Sequence, residues 1–183
     1  MLPMKRSRLS QACLLFAAAV AATVSLDAAA RDRPEPFVAA AQIAERLQVP
    51  NGDAACQPTV QNPGLTGSGT ITGTGLANVV GAFTVTSTDC IRSNVPGQFF
   101  PPYTFSSSTF TLTAANGDQI VATYGGNAEL SPLGLLVLTG TYTITGGTGQ
   151  FRDASGSGTL AGVENIATDP ARGFVTLTGQ ISR

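Results

Sequence analysis

Thr139-Gly-Thr-Tyr-Thr-Ile-Thr-Gly-Gly-Thr-Gly-Gln-Phe-Arg-Asp-Ala-Ser-Gly-Ser-Gly-Thr-Leu160 is the stretch that decides the fold. Gly140, Tyr142 and Ile144 fall on even positions and Thr139, Thr141, Thr143 and Thr145 on odd ones. That is the two-residue period of a strand with one buried face. The period breaks at Gly146-Gly147-Thr148-Gly149, where three glycines allow a sharp turn. Phe151 then returns to an apolar environment, and Gly156 to Leu160 resumes the alternation. We read a strand, a tight corner and a second strand.

The same alternation spreads outward in both directions. Gly67, Gly69, Ile71, Gly73 and Gly75 oppose Ser68, Thr70, Thr72 and Thr74, and Val79 to Val85 continues the theme. Threonine packs its branched body on a pleated surface and keeps the outside soluble without charge. Phe110, Leu112 and Ala114 alternate with threonines up to Asn116-Gly117, a strong hairpin signal, and the return strand carries Ile120, Ala122 and Tyr124. Leu135 to Thr145, Leu160 to Val163 and Phe174 to Ser182 complete the set. About eight antiparallel strands at hairpin spacing close into a barrel or split into a sandwich, and a barrel leaves no unpaired edges.

Gly-Gly-Thr-Gly, Phe151-Arg152, Ala154 and Gly156 together resemble the corner of plant dirigent proteins and of the allene oxide cyclases. The likeness is closer to small exported bacterial proteins with an allene oxide cyclase-like barrel, with further matches at Gly69-Thr-Ile-Thr-Gly, Phe83-Thr-Val-Thr, Thr111 to Asp118 and Thr176 to Ser182. It covers roughly residues 65 to 183. The resemblance implies a closed eight-stranded dirigent-like barrel and, from the plant relatives, cofactor-free closure of a reactive apolar intermediate by positioning. It also implies dimers or trimers by analogy. Only the structural corner, Gly146, Gly147, Thr148, Gly149 and Phe151, carries over residue by residue.

Residues 1 to 30 read as a cleaved secretory signal: Lys5, Arg6 and Arg8, an apolar run from Ala12 to Val24, then Ala28-Ala29-Ala30. The run is shorter than the roughly 20 residues a spanning helix needs, so no membrane span is expected. Export to the periplasm or the medium follows. Residues 31 to 57 form a linker with a short helix over Phe37 to Val49, whose Phe37, Ala40, Ala41, Ala44 and Leu47 approach a helical period before Pro50. The barrel domain is placed at 58 to 183.

From Arg31 onward there are seven arginines against ten carboxylates, net −3, with no lysine or histidine. A nucleic-acid role has too little positive charge behind it. Lack of histidine excludes Ser-His-Asp and Cys-His catalysis and most zinc sites, and no cofactor or metal is expected. Cys56 and Cys90 read as a disulfide staple worth roughly 3 to 4 kcal/mol.

Candidate ligand contacts are Phe83, Tyr124 and Tyr142 inside, with Phe99 and Phe100 in an irregular segment from Asp89 to Pro102 that folds over a barrel end or meets an apolar ligand. The barrel has two outcomes, filled by its aromatics or hollow enough for one small molecule. Asp53, Asp89, Asp118, Glu129, Asp153, Glu164 and Asp169 fall in expected turns and read mainly as solvated. Catalytic residues are unknown; Glu129, Tyr142 and Glu164 are the ones to test. Three functions stay open: a binder of a small apolar molecule, a cofactor-free cyclase or isomerase, and a structural or surface-interaction protein.

Overall fold

The computed structural model describes residues 33–51 and 56–183. The expected signal segment and Asp53 lie outside them. Eight strands follow in chain order: β1 Glu35–Gln48, β2 Thr66–Ala77, β3 Gly81–Ser93, β4 Tyr103–Ala114, β5 Gln119–Leu130, β6 Leu136–Gly147, β7 Ser155–Asn165 and β8 Ala171–Ser182. Each pairs antiparallel with the next, and β1 pairs with β8 from Glu35 opposite Ile181 to Glu45 opposite Ala171, closing the barrel. The barrel expectation holds and the sandwich does not.

Two expectations are overturned. Residues 37 to 49 are not a helix: β1 occupies the stretch, so the barrel begins at Glu35 rather than at 58. Its inward face is Phe37, Ala39, Ala41, Ile43 and Glu45, a two-residue period. Without this strand β2 and β8 would both present open edges, and pairing outweighs the helical preference of four alanines. Asp89 is also no loop residue, because β3 continues to Ser93 and only 94 to 102 is irregular.

The two ends of the barrel are closed differently. At one end the glycine corner forms a short 3-10 turn, Gly149–Phe151, that drives Phe151 to full burial, its carbonyl accepting from the Ala154 N–H at 3.0 Å. Gly149 has φ +57°, and a side chain there would collide with the Asp118 carboxylate, which accepts from the Gln150 N–H at 3.3 Å. Gln119 N–H donates to Thr148 Oγ1 at 3.0 Å, locking the corner to the β4–β5 hairpin. The expected strand, corner and strand are all present.

At the other end, which holds residues 49–51, 56–65, 94–102 and 166–170, Ser93 is the hub. Its Oγ donates to the Phe100 carbonyl at 2.6 Å and accepts from Val95 N–H at 3.1 Å and Phe100 N–H at 3.3 Å. Cys56 and Cys90 form a disulfide, Cα atoms 5.4 Å apart, holding the segment before β2 to β3.

A β-bulge in β4 sets the interior. Ser107 pairs with Tyr124 and Phe110 with Ala122, so β4 spends one residue more than β5 across Ser108 and Thr109. The inward phase therefore changes from Tyr103, Phe105 and Ser107 to Phe110, Leu112 and Ala114. Bulges of this kind re-aim side chains.

Candidate functional site

The interior is mostly apolar, and it contains a cavity of about 90 Å³ that reaches Leu47, Phe99 and Ile166 at the loop end. The barrel is therefore not completely filled. Phe83, Phe99 and Tyr124 line the cavity, Phe99 at its loop end. Phe99 stacks on Tyr103, ring centroids 4.9 Å apart, and uses the space left by the missing side chain of Gly67.

Three other expected residues lie elsewhere. Phe100, 54% exposed, faces outward. Tyr142 is buried toward the corner end, edge-on to Phe37 at 6.0 Å, with its hydroxyl over Gly158 and Gly179 and no hydrogen-bond partner. It is not a cavity residue, because glycines on β7 and β8 draw the ring across the sheet wall. Glu129 is exposed on the outer face of β5.

Polar groups enter the cavity from five strands. Asp89 of β3 accepts from the Tyr124 hydroxyl of β5, and from Ser87 Oγ at 3.4 Å. Ser87 Oγ in turn lies 2.7 Å from Ser107 Oγ and 3.1 Å from the Tyr124 hydroxyl. Ser107 takes its place in this network because it immediately precedes the bulge. Phe105 and Phe110 meet the Tyr124 ring edge-on at 6.0 and 5.2 Å and fix its direction.

Glu45 of β1 and Glu164 of β7 complete the cluster. They are 5% and 4% exposed, and one carboxyl oxygen of each is buried with no donor to meet it. Glu45 reaches across Gly69, whose strand neighbours are Leu47 and Asp89. The reading of Asp89 and Glu164 as solvated turn residues is thus corrected: both continue the inward phase of their strands.

Three carboxyls share this interior, no arginine or lysine among the described residues lines it with them, and burial governs their protonation. Burial, then the charges of Glu164 and Asp89, pushes the Glu45 carboxyl up to about 9. Burial raises Asp89 to about 7 although the hydrogen bonds from Tyr124 and Ser87 favour its charged form. Burial also raises Glu164, against a hydrogen bond from Glu45 that favours its ionised form. Near neutral pH Glu45 holds a proton that it can share with Glu164, while Asp89 is poised between states. Burial raises the Tyr103 hydroxyl to about 12, so it remains a donor.

Such a set can donate to an acceptor, accept from a donor or move a proton. Among the described residues no group of three or more acidic, cysteine or histidine side chains is placed to hold a metal ion, and no helix is long and apolar enough to cross a membrane. No family model, curated protein or solved structure matches the chain. The fold and site define it as an eight-stranded antiparallel β-barrel with a cluster of carboxyl and hydroxyl groups inside an apolar cavity.

Proposed function

We propose that this is an exported barrel that binds one small, mainly apolar molecule and receives the polar end of that molecule among Glu45, Asp89, Tyr124 and Glu164. The observation behind this reading is that Glu45 and Glu164, each with a buried, unpartnered carboxyl oxygen, line a mainly apolar cavity. Leaving such groups without partners costs about 1 to 3 kcal/mol each, or more when charged, which a bound ligand can recover. The Cys56–Cys90 disulfide supports an oxidising compartment. The likeness to exported allene oxide cyclase-like barrels supports the same reading.

Native mass spectrometry of protein taken from its own host, followed by organic extraction, tests it. One stoichiometric compound, lost when Ala128→Phe narrows the cavity, is the expected result. A clean apo mass across several growth conditions would instead favour a structural or surface role.

A second reading, a cofactor-free isomerase or cyclase, draws on the opposed roles available to Asp89 and Glu45. A carboxyl near neutrality beside a protonated one supplies a base and an acid within one cavity. Its test is Asp89→Asn with the extracted compound: turnover lost with binding retained supports an enzyme, and unchanged turnover removes Asp89 from the chemistry.

A further inference from the structure

We infer that the ligand is an amphiphilic amine, bound as its ammonium ion with nitrogen between Glu45 and Glu164 and its hydrocarbon part along the apolar cavity. This deepens the binding reading above and rests on it. The titratable groups facing the cluster are Glu45 from β1, Asp89 from β3, Tyr103 from β4, Tyr124 from β5 and Glu164 from β7. The cavity walls of β2, β6 and β8 supply apolar side chains such as Ile71, Leu138 and Leu177. All five ionisable groups are acids.

Among the described residues no arginine or lysine lines the cavity. Arg92 lies on the outer phase of β3, where its Nε–H donates to the Gln57 carbonyl at 2.9 Å. A carboxylate ligand would add a fourth carboxyl to the site, and a neutral alcohol would leave the charge uncompensated. An ammonium group has three donors and no acceptor, which matches two unpartnered carboxyl oxygens. Tyr124 and Ser87 already satisfy Asp89, leaving the two glutamates for the ligand.

The proton balance is explicit. Binding of the ammonium ion draws the proton from Glu45 to the buffer, so that a carboxylate faces the cation. No bond of the ligand is broken.

Hexylamine, hexan-1-ol and hexanoate separate charge from apolar fit. Calorimetric titration of the purified protein at pH 8 is expected to show hexylamine binding at least tenfold more tightly than hexan-1-ol, with hexanoate weakest. Repeating the amine titration in buffers of different ionisation heat should show net proton release. Glu45→Gln and Glu164→Gln, each first checked for a cooperative thermal transition, should reduce the amine's advantage over the alcohol to less than threefold. Equal binding of amine and alcohol would overturn the amine assignment and leave an apolar-binding barrel intact. Binding of none of the three would overturn both. An amine preference unchanged in both variants would move the nitrogen away from these glutamates and overturn the assignment of its site.

Discussion

Glu45 occupies the space that a side chain at Gly69 would fill, so a strand with almost no inner side chains is what lets a carboxyl from β1 lie over β2 inside the barrel. The glycine is a spacer as well as a bend.

Gly69→Ala should therefore turn the Glu45 carboxyl aside. The expected cost is roughly 1 to 3 kcal/mol, the range of overpacking in a well-fitted interior. Urea unfolding reads the cost, and a carboxyl carbon NMR titration reads the movement, since Glu45 should titrate closer to its ordinary value. Gly69→Ala with wild-type stability and an unmoved Glu45 would contradict the close approach.

Stability should fall as pH rises. Glu45 and Asp89 have folded values of about 9 and about 7 against ordinary values of 4.5 and 3.8. Between these limits the folded state binds more protons than the unfolded one, so unfolding free energy declines with pH. From about pH 4 to about pH 9 the loss is on the order of several kcal/mol, and it is absent below the unfolded values. Thermal melting across this window should give its highest midpoint at mildly acidic pH. Glu45→Gln should reduce the slope throughout the window from about pH 4.5 to about pH 9 and leave little of it above pH 7, where Asp89 no longer contributes, and an unchanged slope in that variant would remove Glu45 as its source.

Tyr124→Phe removes one of the two donors that hold Asp89 in its charged form. The Asp89 carboxyl should move above its present value of about 7, since burial then acts with less opposition. Loss of the hydroxyl costs about 1 to 3 kcal/mol. Ser107→Ala should act in the same direction and more weakly, through Ser87. NMR titration of Asp89 checks both, and a downward movement in Tyr124→Phe would reverse the assigned role.

Most of the barrel was legible in the sequence because threonine and glycine alternate so regularly from Gly67 onward. The first strand was not. Alanine at 39, 40, 41 and 44 fits a helix face and a strand face alike, and it hides Glu45 inside an apparent helix. The carboxyl cluster was missed for a second reason: acids are seldom fully buried, so Asp89 and Glu164 read as turn residues. The signal was present in the phase. Phe83, Val85, Ser87, Asp89 and Ile91 are one continuous odd series, and Leu160, Gly162 and Glu164 one even series. Extending the first period by two residue pairs past Val85 and the second by one past Gly162 would have placed both acids inward. The bulge at Ser108 and Thr109 left no comparable trace, because serine and threonine suit either face.

The disulfide ties the residues before β2 to the outside of β3, with Cys56 buried and its sulfur 3.6 Å from the Gly67 carbonyl. Replacing both cysteines by serine should lower stability by roughly 3 kcal/mol, the chain-entropy value for a loop of this size. The barrel strands do not depend on it for their pairing, so the far-ultraviolet circular dichroism of the folded variant should be unchanged. Loss of that spectrum at low temperature would show that the staple is required for closure itself.

Phe99 and Phe100 are sequence neighbours with opposite placements, and that contrast gives the sharpest test of the loop end. Phe99 covers the cavity against Tyr103 and Gly67, whereas the Phe100 ring is exposed and only its backbone is held by Ser93. Phe99→Ala should cost roughly 1 to 3 kcal/mol from lost apolar burial, and should speed both entry and release of a bound hexan-1-ol. Phe100→Ala should stay within about 0.5 kcal/mol of the parent and leave exchange unchanged. Chemical denaturation and stopped-flow exchange measure the two effects. If Phe100→Ala matched or exceeded Phe99→Ala in either, the cover over the cavity would have to be reassigned from Phe99 to its neighbour.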